Sequence, residues 1–78
     1  MPVTPSHGLV QTVRENVRRL RHRRGMTQEN LADVAGVSRT YIGYLESQGK
    51  NVSVEVLEKI AQALDVDPRE LLKPSDEW

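Results

Sequence analysis

The 78-residue chain contains no cysteine, which excludes disulfide bonds and thiolate metal sites. Only two histidines are present, and His22 lies among arginines without a second metal ligand nearby. We therefore expect no metal and no cofactor. No apolar run approaches the roughly 18 residues of a membrane span, and no signal-peptide core is present. These absences predict a soluble, cytoplasmic protein with no membrane partner.

The residue sets that catalysis requires are also missing from the sequence. We find no Gly-rich phosphate-binding loop, no cluster of metal ligands, and no nucleophile accompanied by a base and an orienting group. Ser6 and His7 are neighbours, but they fall in an irregular segment that cannot hold a catalytic geometry. The sequence therefore predicts that the chain is not an enzyme and binds no small-molecule ligand.

The formal net charge is zero, but the two parts of the chain carry opposite charge. Residues 1–50 contain eight Lys and Arg against four Asp and Glu, a balance of +4. Residues 51–78 contain three against seven, a balance of −4. This asymmetry favours an anionic partner for the basic part, while the acidic part faces water. The alternative is that both parts are simply solvated.

A chain of this length forms one domain and buries only about 60% of the surface that its unfolded form exposes. Its stability is therefore limited, and a dimer partner would add to it. We expect residues 1–8 to be a flexible arm, residues 9–73 to be the folded domain, and residues 74–78 to be a tail. Trp78, in that tail, is expected either to fray or to dock at an interface.

Capping residues and apolar repeats predict an all-α fold, a compact bundle of five short helices. The helices are expected at residues 9–24, 28–35, 39–46 and 54–64, with a fifth that begins at Pro68 after the cap Asp67. The apolar stripe of the first helix is Val10, Val13, Val17 and Leu20, and that of the fourth is Val54, Leu57, Ile60, Ala61 and Leu64.

The most informative stretch is residues 28–46, where two short helices are joined by a tight turn. Gly36 stands where the chain must turn sharply, because glycine takes a positive φ without steric cost. Ser38 then offers its hydroxyl as the N-cap of the second helix. Two helices joined by a Gly-containing turn of about three or four residues form a helix-turn-helix unit. The residues expected to face inward are Leu31, Ala32, Ala35, Val37, Ile42 and Leu45.

A second helix that turns Ile42 and Leu45 inward exposes the residues at its start. Arg39 can then donate to guanine O6 and N7, and Thr40 can contact a thymine methyl group or a phosphate. Gly43 removes a side chain where the helix approaches DNA. The two tyrosines, Tyr41 and Tyr44, either offer hydroxyl groups to DNA or pack at the rim of the core or at a dimer contact.

Six arginines lie on the first helix, with only Glu15 opposing them. Their angular positions spread around the helix axis, so they cannot all face one partner. We expect some to contact phosphate groups, which fixes register without reading sequence, and others to form ion pairs. The six are Arg14, Arg18, Arg19, Arg21, Arg23 and Arg24.

Two blocks of sequence, RGMTQENLADVAGVSRTYIGYLES and VLEKIAQALDVDPRELL, carry a family resemblance. The chain resembles the lambda-repressor-like (Xre) family of helix-turn-helix DNA-binding domains over about residues 9–73. Its short length and the segment SRTYIGYLE are most similar to the small controller proteins of restriction–modification systems. Stand-alone phage or plasmid repressors and antitoxin domains share the same scaffold.

The resemblance implies roles for individual residues. It implies an internal ion pair between Arg21 and Glu46 that ties the first helix to the third. It also implies base-edge contacts from the exposed start of the third helix and backbone contacts from the flanking residues. The base-reading positions are Arg39, Thr40, Tyr41 and Tyr44, and the backbone-contacting positions are Gln28, Ser38, Lys50 and Asn51.

The expected function is sequence-specific binding of double-stranded DNA by a transcriptional regulator that forms a homodimer on an inverted repeat. The competing hypothesis is a protein-interaction module, either an antitoxin or a co-activator adaptor. The dimer surface is expected to include Val66, Leu71 and Leu72, which are more apolar than so short an end segment requires. The monomer core is an equal alternative for these residues.

Overall fold

The computed structural model describes residues 8–74, and this part of the chain is helical with no strand. The predicted arm and tail, with Trp78, lie outside the described residues apart from Gly8 and Pro74. The predicted all-α helix-turn-helix fold is confirmed, and its fifth element is a 3-10 helix. The elements are α1 (Leu9–Arg23), α2 (Gln28–Ala35), α3 (Arg39–Ser47), α4 (Val54–Leu64) and the 3-10 helix (Pro68–Leu72).

Each element after α1 begins at a side chain that caps it. The Thr27 hydroxyl accepts from the Asn30 backbone N–H at 3.0 Å, and the Asn30 side chain accepts in return from the Thr27 N–H at 3.1 Å. This reciprocal capping box satisfies two N–H groups that have no partner within the helix. Ser38, Ser53 and Asp67 each accept one backbone N–H at the start of α3, α4 and the 3-10 helix.

The turn between α2 and α3 fixes the direction of the third helix. Gly36 has a φ of 76°, in the left-handed region that an L side chain rarely adopts. Its N–H and the N–H of Val37 both donate to the Ala32 carbonyl oxygen, at 2.9 and 3.0 Å. The turn therefore closes α2 and starts α3 within three residues, Gly36 to Ser38.

One apolar core joins all five elements, and burial of its side chains supplies most of the driving force for folding. Two expected stripe residues lie outside it, since Val10 is 44% exposed and Val54 is 77% exposed. Both belong to the first turn of their helices. The core residues are Val13, Val17, Leu20, Leu31, Ala32, Ala35, Ile42, Leu45, Ile60, Ala61, Leu64 and Leu71.

A buried amide attaches the 3-10 helix to α1. The Asn16 side chain is fully buried, and its Nδ2 atom donates to the Leu71 carbonyl oxygen at 2.9 Å and to that of Lys73 at 2.7 Å. Leu71 is itself fully buried beneath α1 and α4. The expectation that Leu71 lies at a dimer surface is therefore wrong, because the monomer core already encloses its side chain.

Candidate nucleic-acid interface

The first turn of α3 presents two polar side chains to solvent. Arg39 and Thr40 are both exposed, and neither side chain forms a hydrogen bond or an ion pair with another residue in the range 8–74. Just before them, the Ser38 hydroxyl accepts from the Tyr41 N–H at 3.0 Å. That bond uses an oxygen lone pair of Ser38 and leaves its hydroxyl hydrogen available to an acceptor.

The two tyrosines differ from Arg39 and Thr40 because both have contacts within the protein. Their ring centroids are 6.1 Å apart with the planes tilted by 36°. Tyr41 is half-buried against the core, and burial, together with the nearby Tyr44 hydroxyl, raises the pKa of Tyr41 above 10.0. The Tyr44 hydroxyl donates to the Lys50 carbonyl oxygen at 2.7 Å, so its hydrogen is already used.

An ion pair joins α1 to the last turn of α3. Arg21 Nε donates to Glu46 Oε2 at 2.6 Å, and Arg21 Nη2 donates to Glu46 Oε1 at 3.0 Å. The two side chains are only 11% and 6% exposed. Arg21 Nη1 also donates to the Met26 carbonyl oxygen at 2.8 Å, in the turn before α2. This bidentate geometry is the strong form of an arginine–carboxylate contact.

Gln28 extends the same network to α2. Its Nε2 atom donates to Glu46 Oε1 at 3.1 Å, so the first residue of α2 is tied to the last turn of α3. The structure therefore brings together three residues that the resemblance assigned to two different roles, Arg21, Gln28 and Glu46. This one carboxylate therefore connects α1, α2 and α3.

The loop after α3 places Lys50 and Asn51 at the surface. Both residues are exposed, and Asn51 has a φ of 58°. Gly49 before them has a φ of 64° and is buried. A Cβ atom at Gly49 would lie 2.5 Å from Arg14 Cγ and 3.0 Å from the Leu45 carbonyl oxygen, so the loop packs closely on α1 and α3.

The arginines of α1 fall into distinct environments. Arg21 belongs to the buried pair, Arg14 Nε donates to the Glu46 carbonyl oxygen at 3.4 Å, and Arg24 lies 3.8 Å from Asp65. The side chain of Arg18 is exposed and has no such contact within the described part of the chain. The sequence analysis singled out only Arg21, through the family resemblance, although the spacing of Arg14, Arg18 and Arg21 puts all three on one face of a helix.

The side chains of residues 8–74 include no group of three or more metal-ligand residues placed to hold an ion. No helix in the same range is long and apolar enough to cross a lipid bilayer.

Comparison with known proteins identifies the family. Residues 17–71, most of the chain, match the helix-turn-helix family model HTH_3. The chain belongs to this helix-turn-helix family. Among its curated relatives, control protein C.SmaI of Serratia marcescens is 41% identical over 58 residues, which cover 74% of this chain and 69% of that protein. Control protein C.BamHI of Bacillus amyloliquefaciens is 42% identical over 59 residues, covering 74% and 73% of the two chains.

Solved structures agree with these sequence relatives. The restriction-modification controller protein C.AhdI from Aeromonas hydrophila superimposes with a TM-score of 0.76 at 40% identity, over 80% of this chain and 94% of that one. The hypothetical transcription factor NHTF from Neisseria gives a TM-score of 0.85 at 32% identity, over 99% and 94% of the two chains. This member of the helix-turn-helix family is a DNA-binding transcriptional regulator.

Proposed function

We propose that this helix-turn-helix protein reads a specific double-stranded DNA sequence as a homodimer on an inverted repeat, and that it controls a restriction–modification system. The observation that carries the proposal is the first turn of α3, where Arg39 and Thr40 are exposed and have no partner in the described chain. A solvent-exposed helix start on a rigid bundle is the part of a helix-turn-helix that enters the major groove. The controller role is supported by the similarity to C.SmaI, C.BamHI and C.AhdI.

Arg39 is the principal base-reading residue in this proposal. Its planar guanidinium group matches the two acceptors that guanine presents in the major groove, and such a pair supplies roughly 1–3 kcal/mol of discrimination. Thr40 contacts a neighbouring base or phosphate. Tyr41 and Tyr44 add contacts through their ring edges and hydroxyl oxygens. The proposed backbone contacts come from Gln28, Ser38, Lys50 and Asn51.

The homodimer follows from the length of DNA that one helix can read. A single recognition helix covers only a few base pairs, whereas a two-fold dimer places two such helices about one helical turn apart on a palindromic site. Leu72 is 43% exposed and lines an apolar groove of about 170 Å³ with Leu9, Val10 and Leu57. We assign this groove, together with the half-buried Val66, to contact with a second copy of the chain.

Selection of duplexes from a random pool tests the proposed DNA reading. The wild-type protein is expected to enrich a two-fold symmetric sequence, and Arg39→Ala is expected to lose the preference at one base pair in each half-site. The matched control is Arg24→Ala, because Arg24 lies near Asp65 and not on α3. A protein that enriches no sequence, and is instead purified with a partner protein, would contradict the proposal.

Sedimentation of the free protein tests the dimer separately. Leu72→Asp places a charge in the apolar groove and is expected to convert dimer to monomer at micromolar concentration without unfolding the chain. Val34→Asp is the control, because Val34 is 63% exposed and lies outside the groove. If Leu72→Asp remains a dimer, the interface lies elsewhere. The controller role further predicts that the selected sequence occurs beside genes for an endonuclease and a methyltransferase.

A further inference from the structure

A polar depression separates the arginine-rich face of α1 from the recognition helix. Arg14, Arg18 and Arg21 line one wall, and Gly43 and Glu46 of α3 line the other. The depression has a volume of about 390 Å³ and opens to solvent. None of the residues predicted to read bases lines it, although Gln28, one of the proposed backbone-contacting residues, does, so the depression adjoins the proposed interface without including the first turn of α3.

The three arginines of this wall are held differently. Arg21 is committed to Glu46, with Nε and Nη2 on the carboxylate and Nη1 on a backbone carbonyl. Arg14 uses Nε on the Glu46 carbonyl oxygen, and its Nη atoms have no partner within residues 8–74. Arg18 lies between them in sequence, is exposed, and pairs with no described residue. Two neighbouring arginines that line the depression therefore have unused donors.

The opposite wall leaves room for a ligand because Gly43 has no side chain. A Cβ atom built there would meet only Gln28 Oε1, at 3.7 Å, within a 4 Å radius. Glycine in the interior of a helix costs about 1 kcal/mol relative to alanine, so its presence in α3 calls for a compensating use. An uncovered helix backbone facing arginine donors is a suitable place for a bulky anion.

The charge balance of the depression also favours an anion. Three arginines face one carboxylate, which leaves a formal surplus of two positive charges. The Glu46 oxygens already accept two hydrogen bonds from Arg21 and one from Gln28, so most of the acceptor capacity of the carboxylate is used within the protein. Guanidinium groups bind phosphate oxygens through paired N–H donors, which a lysine cannot reproduce.

We propose that this depression binds a phosphate group of the DNA backbone, with Arg18 as the main ligand and Arg14 as the second. The inference rests on the proposed function and adds to it a phosphate contact on the α1 side of the recognition helix. Because a phosphate contact positions the duplex without reading bases, Arg18 contributes affinity and register but no sequence preference.

The test measures affinity for the selected duplex as a function of salt for the wild type, Arg18→Gln and Arg24→Gln. Each phosphate contact contributes about 0.9 to the slope of log affinity against log salt on B-form DNA. Arg18→Gln is expected to lower the slope by about this amount and to leave base preference unchanged. Arg24→Gln, whose side chain does not line the depression, is expected to keep the wild-type slope.

Arg18→Lys sharpens the assignment because it keeps the charge and removes the paired donors. It is expected to bind more weakly than the wild type and to retain the slope. If Arg18→Gln binds with unchanged affinity and slope while the wild type binds DNA, this inference is wrong and the proposed function stands. If the wild type binds no duplex at all, the proposed function itself fails.

Titration with inorganic phosphate distinguishes a site for free phosphate from a site for the phosphate groups of DNA. Its effect on the Gly43 amide resonance is followed by NMR in the wild type and in Arg18→Gln. Binding that Arg18→Gln abolishes supports a phosphate site, and the reduced salt slope then assigns the site to DNA. If inorganic phosphate binds through Arg18 but the slope does not change, the site takes a free anion and its assignment to the DNA backbone is overturned.

Discussion

The two ends of α3 have opposite environments. At its start, which we call the open end, Arg39 and Thr40 are exposed and have no side-chain partner among residues 8–74. In its last turns, the anchored end, Leu45 is fully buried and the Glu46 carboxylate accepts three hydrogen bonds from α1 and α2. The nine-residue helix α3 thus extends from a solvent-exposed start to a buried ion pair in its last turn.

This difference shows how a short helix can be held rigidly by the protein at one end and still expose its side chains to a partner at the other. The anchored end fixes the direction of α3 through contacts that involve no ligand, so the backbone at the open end is already in position in the free protein. A binding site held on a rigid element loses less entropy when its partner binds. We expect that residues at the open end can also be substituted without unfolding the protein. Variants at the two ends therefore separate the structural role of the anchored end from the binding role of the open end.

The largest expected effect is at the anchored end. Arg21→Ala removes the cation that neutralises Glu46, whose side chain is 6% exposed, and leaves a buried carboxylate without its charge partner. Removing one member of a buried pair costs about 3–5 kcal/mol of unfolding free energy. Urea titration followed by far-ultraviolet circular dichroism measures this loss as a lower midpoint.

The control for this variant is Arg39→Ala, which removes an arginine from the open end. Because the Arg39 side chain has no partner to lose, the unfolding free energy of the Arg39→Ala variant is expected to stay within about 0.5 kcal/mol of the wild-type value. Equal stability of the two variants would show that the Arg21–Glu46 pair does not hold α3, and the contrast between the ends would disappear.

A smaller difference is expected between two glycine variants, one of which lies in the loop that follows the anchored end. Gly36 and Gly49 share a left-handed backbone, so Gly→Ala costs about 1–2 kcal/mol at either position from backbone strain alone. Only Gly49 is also enclosed, with Arg14 Cγ and the Leu45 carbonyl oxygen within 3.0 Å of a new Cβ atom, whereas Gly36 has no such neighbour within 4 Å. Overpacking adds about 1–3 kcal/mol at Gly49.

Thermal unfolding of Gly36→Ala and Gly49→Ala, compared at the same pH and salt, isolates this packing contribution. Gly49→Ala is expected to melt at the lower temperature, with Arg14 displaced from the Glu46 carbonyl oxygen. Identical melting temperatures would mean that the loop relaxes freely and is not part of the anchored end.

The parts of this fold that sequence predicts are those encoded within a few residues. Ser38, Ser53 and Asp67 cap the helix that begins immediately after each of them, so the element starts could be read directly. Periodicity identified the core side of α4, but it could not show that Val54 would remain exposed. Periodicity gives the direction of a side chain and does not show whether a neighbouring element covers it.

The interactions that position the site are long-range, and for that reason most of them escaped sequence reasoning. Asn16 reads as a polar residue within an otherwise amphipathic helix, yet its carbonyl partners are 54 to 57 residues away. The bond from Tyr44 to Lys50 likewise depends on how the loop folds back. Arg21 and Glu46 were identified through the family resemblance, because nothing local marks a pair separated by 25 residues.

The smallest expected effect lies at the boundary between the two ends. Tyr41 is half-buried, and burial is the larger of the two causes that raise its pKa above 10.0, the charge of Tyr44 being the smaller. Tyr44→Phe leaves Tyr41 as the only tyrosine, so the ultraviolet absorbance of tyrosinate reports it alone. In this variant the pKa of Tyr41 should fall but stay above 10.0, because Tyr41 remains half-buried.

The sign of the pH dependence follows from that shift. A folded-state pKa above the unfolded value favours the neutral phenol in the folded protein, so the stabilisation is complete below the unfolded pKa and is lost as pH rises through the folded one. The same titration in urea is expected to return Tyr41 to its ordinary range. A Tyr41 that ionises identically with and without urea would be fully solvated, and the open end of α3 would then extend from Arg39 through Tyr41.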